Sequence, residues 1–350
     1  MALLITLSVT TMLVAAGLEF NRRARHDLIA AAAARDHLTM SEMAAAGVHV
    51  GMAILAKDKD DNDTDTPLDD WADPDKVALV LREFPFEDGQ LSLVITDELG
   101  KIQINALVTQ PNGAQFNEAQ RSLWERFLQY FADRKELKLD LKDDNQPTAI
   151  LNSLKDWLDS GDNDATTGLS GAETPYYESL KPPYPARNGP ILDLDELLLV
   201  KGVTPELFYG TSEAPGIMHY LTVYGMAPGE GTSYSFPGRI NVTTAELPVL
   251  FALIPAENKQ LAETLDEMRR DIASGKQKVD MKNPNWLNQL PGFADLKLDP
   301  KLITTTSDLF RIEATAALHE AETTVTAVVQ RVQAPRMGKW TCRVLSWQVN

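Results

Sequence analysis

Ala2 to Phe20 reads ALLITLSVTTMLVAAGLEF, an almost unbroken apolar run at the start of a chain of 350 residues. As a helix it rises about 28 Å at 1.5 Å per residue, close to the roughly 30 Å hydrocarbon core of a bilayer. The run does not stop at a small-residue cleavage site, as a signal peptide would after about 7–15 apolar residues. Asn21 to Leu55 continues with strong helix formers, including Ala30 to Ala34 and Ala44 to Ala46, and holds no Pro. The expected object is one long helix, half in lipid and half in water. Gly17, Gly47 and Gly51 are its weak points, each costing about 1 kcal/mol relative to Ala. The plainer reading is an anchor followed by a separate short helix.

Arg22, Arg23 and Arg25 flank the apolar run on its far side, and the positive-inside rule would place them in the cytoplasm. A short basic leader, removed after it had set the orientation, resolves that conflict. Met1 is then expected to be the N-terminus of a leader-cleavage product.

Composition sets wider bounds. A formal net charge of −17 argues against nucleic acid, because phosphate binding depends on Lys and Arg. The same charge suits a solvated protein or one that binds cations. With 44% hydrophobic residues the chain can build ordinary cores. Its single Cys342 forms no internal disulfide and reads as a small buried hydrophobe.

Downstream of the long helix, Lys57 to Asp75 is an acidic loop with Pro67 and Pro74. Asp58, Asp60, Asn62 and Asp63 invite a calcium reading, but the EF-hand pattern wants Gly at its sixth position and Glu at its twelfth, and neither is there. Leu91 to Thr96 and Lys101 to Ala106 each alternate with period two around Asp97-Glu98-Leu99-Gly100, and so predict a hairpin.

The period then becomes helical. Asn117 precedes a stripe of Leu123, Trp124, Phe127, Leu128 and Phe131; Pro147 opens a helix with Ile150, Leu151, Leu154, Trp157 and Leu158. Asp193 to Val200 and Thr204 to Gly210 predict two more, Thr243 and Glu246 form a capping box, and Leu261, Leu265, Met268 and Ile272 line the last. Strand signals return over Leu309 to Ala316, Thr323 to Val332 and Trp340 to Gln348. Strands, then helices, then strands imply one antiparallel sheet interrupted by an inserted domain. The expected boundaries are 1–21 for the apolar half of the helix, 22–110 for the first part of an α+β domain, 111–302 for the α-helical insertion and 303–350 for the last strands.

The most suggestive chemistry is Asp156 to Glu173, DWLDSGDNDATTGLSGAE. Asp159, Asp162, Asn163 and Asp164 stand just past a helix end, and Gly161, Gly168 and Gly171 let carbonyls turn inward. A flexible acidic loop can supply the six to eight oxygens that calcium wants; the alternative is a solvated turn. No enzyme signature is present: the five His form no H-E-x-x-H, and there is neither a G-x-S-x-G elbow nor a phosphate loop. Asp193 to Thr204 and Arg239 to Leu247 both resemble helix-hairpin-helix modules, which bind DNA backbone, so a membrane-anchored DNA-binding or uptake module is the alternative function.

An apolar N-terminal helix running on into an Ala-rich soluble half resembles the plan of type IV pilins and pseudopilins, which are cut from a basic leader just before the apolar run. Most pilins carry Glu at the fifth mature position, where this chain has Ile5. With Asp97 to Asn105, Asp156-Trp157-Leu158-Asp159, Gly171-Ala172-Glu173, Arg187-Asn188, Glu196 to Val203 and Arg239 to Ala245 in that order, the chain resembles the K-type minor pseudopilin of bacterial type II secretion systems. The resemblance implies a pilin-like α+β fold with a large inserted α-helical domain. It implies a non-enzymatic place at the tip of a pseudopilus with the I-type and J-type minor pseudopilins. The anchor would sit in the inner membrane through Ala2, Leu3, Leu4, Ile5, Leu13 and Val14, with the head in the periplasm. It also implies bound calcium, with Asp159, Asp162, Asp164 and Glu173 as ligands.

Overall fold

A computed structural model describes residues 1–350 apart from 85, 87, 110–112, 138, 140–145, 162–165, 230, 232, 275, 277–278, 282–285, 295, 297 and 335–337. Helix α1 runs unbroken over Ala2–Asp61, about 90 Å at 1.5 Å per residue. No break separates an anchor from a second helix. Its first half packs on nothing: Leu3, Leu4, Ile5, Leu13, Val14 and Phe20 are all exposed. Burial begins at Met40 and continues through Met43, Ala44, Gly47, Val48, Gly51 and Leu55, a stripe spaced three and four residues apart.

That stripe lies on a four-stranded antiparallel sheet of β1 (Gln90–Asp97), β8 (Leu309–Leu318), β9 (Ala321–Gln333) and β10 (Trp340–Val349), in spatial order β1-β8-β9-β10. Gly47 and Gly51 are where helix and sheet come closest. A Cβ at Gly47 would sit 3.0 Å from Ala314 Cβ, and one at Gly51 3.0 Å from Ile312 Cγ2. What reads in the sequence as helix weakness is the close-approach seam of the packed fold. Short helix α2 (Pro74–Leu81) lies against β1.

The hairpin expected from Leu91–Thr96 and Lys101–Ala106 does not form. Strand β1 pairs with β8, from Gln90↔Ala317 to Asp97↔Phe310. After Asp97 the chain makes a 3-10 turn over Glu98–Gly100, started by Leu99 N donating to Asp97 Oδ1 at 2.8 Å. It then enters the inserted layer. Ile102–Gln103 (β2) pairs in parallel with Leu221–Thr222 (β3), and Ile104–Leu107 is another 3-10 turn. The polar positions that mimicked a solvent face are buried clips. Gln103 donates to Tyr224 O and accepts from Gly238 N at 2.9 Å; Asn105 donates to Ile191 O at 2.9 Å and accepts from Ile191 N at 2.8 Å.

The inserted layer carries α3 (Glu118–Ala132), α4 (Pro147–Leu158), α5 (Thr174–Glu178), α6 (Pro205–Tyr209), α7 (Leu247–Leu253) and α8 (Gln260–Ala273). The stripes of α3 and α4 meet in one core with Tyr177, Leu250 and Trp286, while α1 and the sheet have a core of their own. Two further two-strand pairs, β4 (Ala227–Pro228) with β5 (Tyr234–Ser235) and β6 (Ile240–Asn241) with β7 (Ile303–Thr304), pin its loops. The capping box is absent. Helix α7 starts at Leu247, so Glu246 and not Thr243 is its N-cap, without a side-chain cap bond; the Thr243 hydroxyl points instead at Asp65 O and at Asn241 Oδ1, 2.7 Å away. Asp193–Val200 forms a 3-10 helix, Leu194–Leu199, in place of an α-helix.

A buried polar junction joins the two layers. Arg331 of β9, its side chain fully buried, donates to Asp58 Oδ2 at 3.0 Å, to Asp65 and to the Ser307 carbonyl, and its guanidinium lies 4.6 Å from the Phe310 ring. Asp65 Oδ2 accepts from Ser307 N at 2.7 Å, and its carbonyl accepts from Asn241 Nδ2 at 3.0 Å. Asn241 also donates to Asp97 Oδ2 at 2.8 Å, which accepts from Thr244 Oγ1 at 2.7 Å. Burial pushes the Asp58 carboxyl up to about 7, helped by Asp69 and Asp65 nearby, and pushes Asp97 up to about 6. Beside them Glu98 is fully buried: burial alone would raise it, but Lys101 and Arg311 hold it below the usual range.

Candidate metal centre

Three buried carboxylates converge at the end of α4. Asp156, Asp159 and Glu173 each offer an oxygen within 4.8 Å of the others. Asp156 and Asp159 stand three apart on the last turn, hence on one face. Glu173 is the N-cap of α5 and is brought in by an aromatic wall: Trp157 stands edge-on to Tyr177 at 5.0 Å, and Tyr177 stacks on Tyr184 at 5.5 Å. The Tyr177 hydroxyl accepts from Lys201 N at 3.3 Å, and burial raises its pKa.

The electrostatics call for positive charge. Two carboxylates at a helix C-terminus face the negative end of its dipole, and a third makes the arrangement costly in a buried site. Lys155 supplies one charge, with Nζ 2.6 Å from Asp159 Oδ2 and 3.9 Å from Asp156 Oδ1. Asp156 also accepts from Thr167 N at 3.1 Å through both oxygens; burial nonetheless raises its pKa.

The loop is cut to fit these carboxylates. A Cβ on Gly171 would sit 2.1 Å from Asp156 Oδ2 and 2.8 Å from the backbone of Thr167, so only glycine leaves that carboxylate its place. Gly168, at φ +60, sits over the Asn152 amide, which donates to Ser170 Oγ at 3.1 Å. Hard oxygen donors, all carboxylate, suit a hard divalent cation.

Of the residues expected from sequence, Asp159 and Glu173 are brought together. Asp162 and Asp164 lie outside the described residues. Asp156, which the sequence reading did not put forward, is the third carboxylate of the group; its signal was the three-residue spacing to Asp159. The second segment read as helix-hairpin-helix, Arg239–Leu247, does not have that form, because Ile240–Asn241 is a strand paired with Ile303–Thr304. In the first, Lys201 Nζ turns inward to Ser170 O at 3.4 Å and over the Tyr176 ring at 4.9 Å.

Residues 100–211, which include this centre, match the family model described as type II secretion system (T2SS), protein K. A curated relative, type II secretion system protein K of Aeromonas hydrophila, is 29% identical over 157 residues. That match covers 44% of this chain and spans 44% of the length of the relative. The fold is similar to a chain in the crystal structure of the GspK-GspI-GspJ complex from the enterotoxigenic Escherichia coli type 2 secretion system. There the TM-score is 0.63 at 16% identity, covering 91% of this chain and 99% of that one. The helix-on-sheet frame and its helical insertion agree with that fold, and within the insertion the chain is similar to protein K of type II secretion systems over about a third of its length.

Proposed function

We propose that this protein is a minor pseudopilin that caps the tip of the type II secretion pseudopilus and nucleates its assembly with the I-type and J-type minor pseudopilins. The observation that carries the reading is a match to the protein K model over residues 100–211 in a chain that opens on a 60-residue helix whose apolar first half packs on nothing else in the chain. It is the one helix among the described residues long and apolar enough to cross a membrane. Before assembly that half rests in the inner membrane, with the head in the periplasm. After assembly it packs among neighbouring helices, and the bulky insertion suits an end position better than a repeating one. The role is mechanical, and no catalytic step is assigned to it.

Asp156, Asp159 and Glu173, with Asp162 and Asp164 of the adjoining loop, would hold calcium. The ion would supply charge that lets the carboxylates stay ionised while buried, fixing α4 to α5. The test is to purify the full chain in detergent with I-type and J-type partners from the same genome and measure bound metal by elemental analysis. A ternary complex with stoichiometric calcium, lost in Asp156→Asn and Asp159→Asn, is expected. A chain that stays alone at micromolar concentrations overturns the tip assignment; a complex without calcium overturns the metal assignment only.

A further inference from the structure

The two edges of the sheet are treated differently. Strand β1 has α2 against it, whereas among the described residues β10 pairs only with β9 and leaves its outer edge open. Most of β10 is exposed, with Trp340, Cys342 and Ser346 half-buried, and Val344, Leu345, Trp347 and Val349 are each 39–48% accessible. A register shift between Val344 and Ser346 leaves Leu345 without a partner across the ladder, after which Ser346–Val349 resume regular pairing. From Val344 to Val349 the strand holds no charge and no Pro, two of the devices that keep an open edge from pairing, and past the register shift Ser346–Val349 present a regular, uncharged edge.

The start of β10 borders a groove of about 760 Å³ between the β4–β5 hairpin and the end of the sheet. Lys59, Arg239 and Arg343 line it against one carboxylate, Asp308, once Arg331 is set aside with its two buried aspartates. Asp308 is itself engaged by Gln330 at 2.8 Å, and Gln330 accepts from Arg343 at 2.5 Å. Lys59 donates to the Asp63 carbonyl at 3.0 Å and sits 5.9 Å from the Trp340 ring. In a chain of net charge −17, this is a local excess of positive charge continuous with an open apolar strand edge.

We infer that β10 and this groove take an extended segment of a partner protein, added as a fifth strand, with acidic side chains lying over Lys59, Arg239 and Arg343. Main-chain pairing supplies the attachment and the charges fix its direction and register. The inference rests on the reading above, the partner being one of the two other minor pseudopilins.

The test uses the full chain in detergent, with and without the I-type and J-type proteins, followed by hydrogen exchange and binding titration. On complex formation the amides of 344–349 should slow by at least about tenfold. Arg343→Glu and, independently, Arg239→Glu should weaken binding by about three- to tenfold and flatten its salt dependence. Arg239 is an exposed residue of the insertion outside the ladder, so its variant keeps the strand intact if the Arg343 change disturbs it. A complex that forms with exchange in 344–349 unchanged and both variants binding as wild type overturns the inference and leaves the tip reading standing. Failure of any complex to form overturns both.

Discussion

Arg331→Met is the sharpest perturbation of the junction between sheet and insertion. The substitution keeps an unbranched apolar chain in place of the arginine stem and removes a guanidinium that serves Asp58, Asp65, the Leu55 and Ser307 carbonyls and the face of Phe310. Two aspartates then remain buried without a cation. Breaking a buried pair in this way costs about 3–5 kcal/mol, a large part of a stability of about 5–15 kcal/mol. Urea unfolding of the full chain in detergent at pH 7.5 measures it. The loss should shrink on acidification, because the variant's aspartates bind protons in the folded state that the unfolded chain does not hold at the same pH. Combining Arg331→Met with Asp58→Asn and Asp65→Asn should recover about half or more of the loss, since no uncompensated charge is left inside. A single variant that loses less than about 1 kcal/mol, the worth of an exposed pair, would refute the reasoning: the junction would then be wet or dispensable.

Three other predictions follow from the same geometry. In the native chain Asp58 at about 7 and Asp97 at about 6 both lie above the ordinary 3.8, so the folded state holds protons the unfolded state lacks; thermal stability should fall from pH 5.5 to pH 8, and Asp58→Asn should flatten the upper part of that fall. His219, raised by its bond to Glu246, adds stability of the same sign, so a curve that rises over this window contradicts the assignment. Gly51→Val should cost about 1–3 kcal/mol by overpacking against Ile312, whereas Gly17→Val, where a Cβ meets nothing within 4 Å, should leave denaturant unfolding of the isolated chain unchanged. Gly171→Ala, whose Cβ would land on Asp156, should abolish any calcium-dependent shift in melting temperature; a shift retained in full would mean that Asp156 is not a ligand.

Periodic burial was legible, and specific pairing was not. The α1 stripe and the faces of α3 and α4 follow from apolar spacing alone, because a long helix with one buried side has few other ways to satisfy it. Strand β1 was legible for the same reason. Its partner was not, since Ala317 and Phe310 are more than two hundred residues away and the nearer alternating segment offered itself instead. That segment misled because Gln103 and Asn105 are buried acceptors and donors, and a buried amide in the right place cannot be told by spacing from one facing water. The same ambiguity hid Thr243, read as part of a capping box and used as a link to Asp65.

These failures share a location. Gln103, Asn105, Thr243, Asn241, Asp97 and Asp65 all lie where the chain passes between the sheet and the insertion, or just inside it. An insertion with its own core gains little from apolar burial against its host, so polar side chains with specific partners fix its orientation, and such partners are set by three-dimensional position. Arg331 carries that logic furthest: one guanidinium ties the end of α1, the acidic loop and β9 together, and through Asp65 and Asn241 it reaches Asp97, where the insertion begins. Rotation of the insertion against the anchored helix therefore has to break buried charged contacts before it exposes much apolar surface, and the Arg331→Met variant would loosen the orientation of the head before it melts either core.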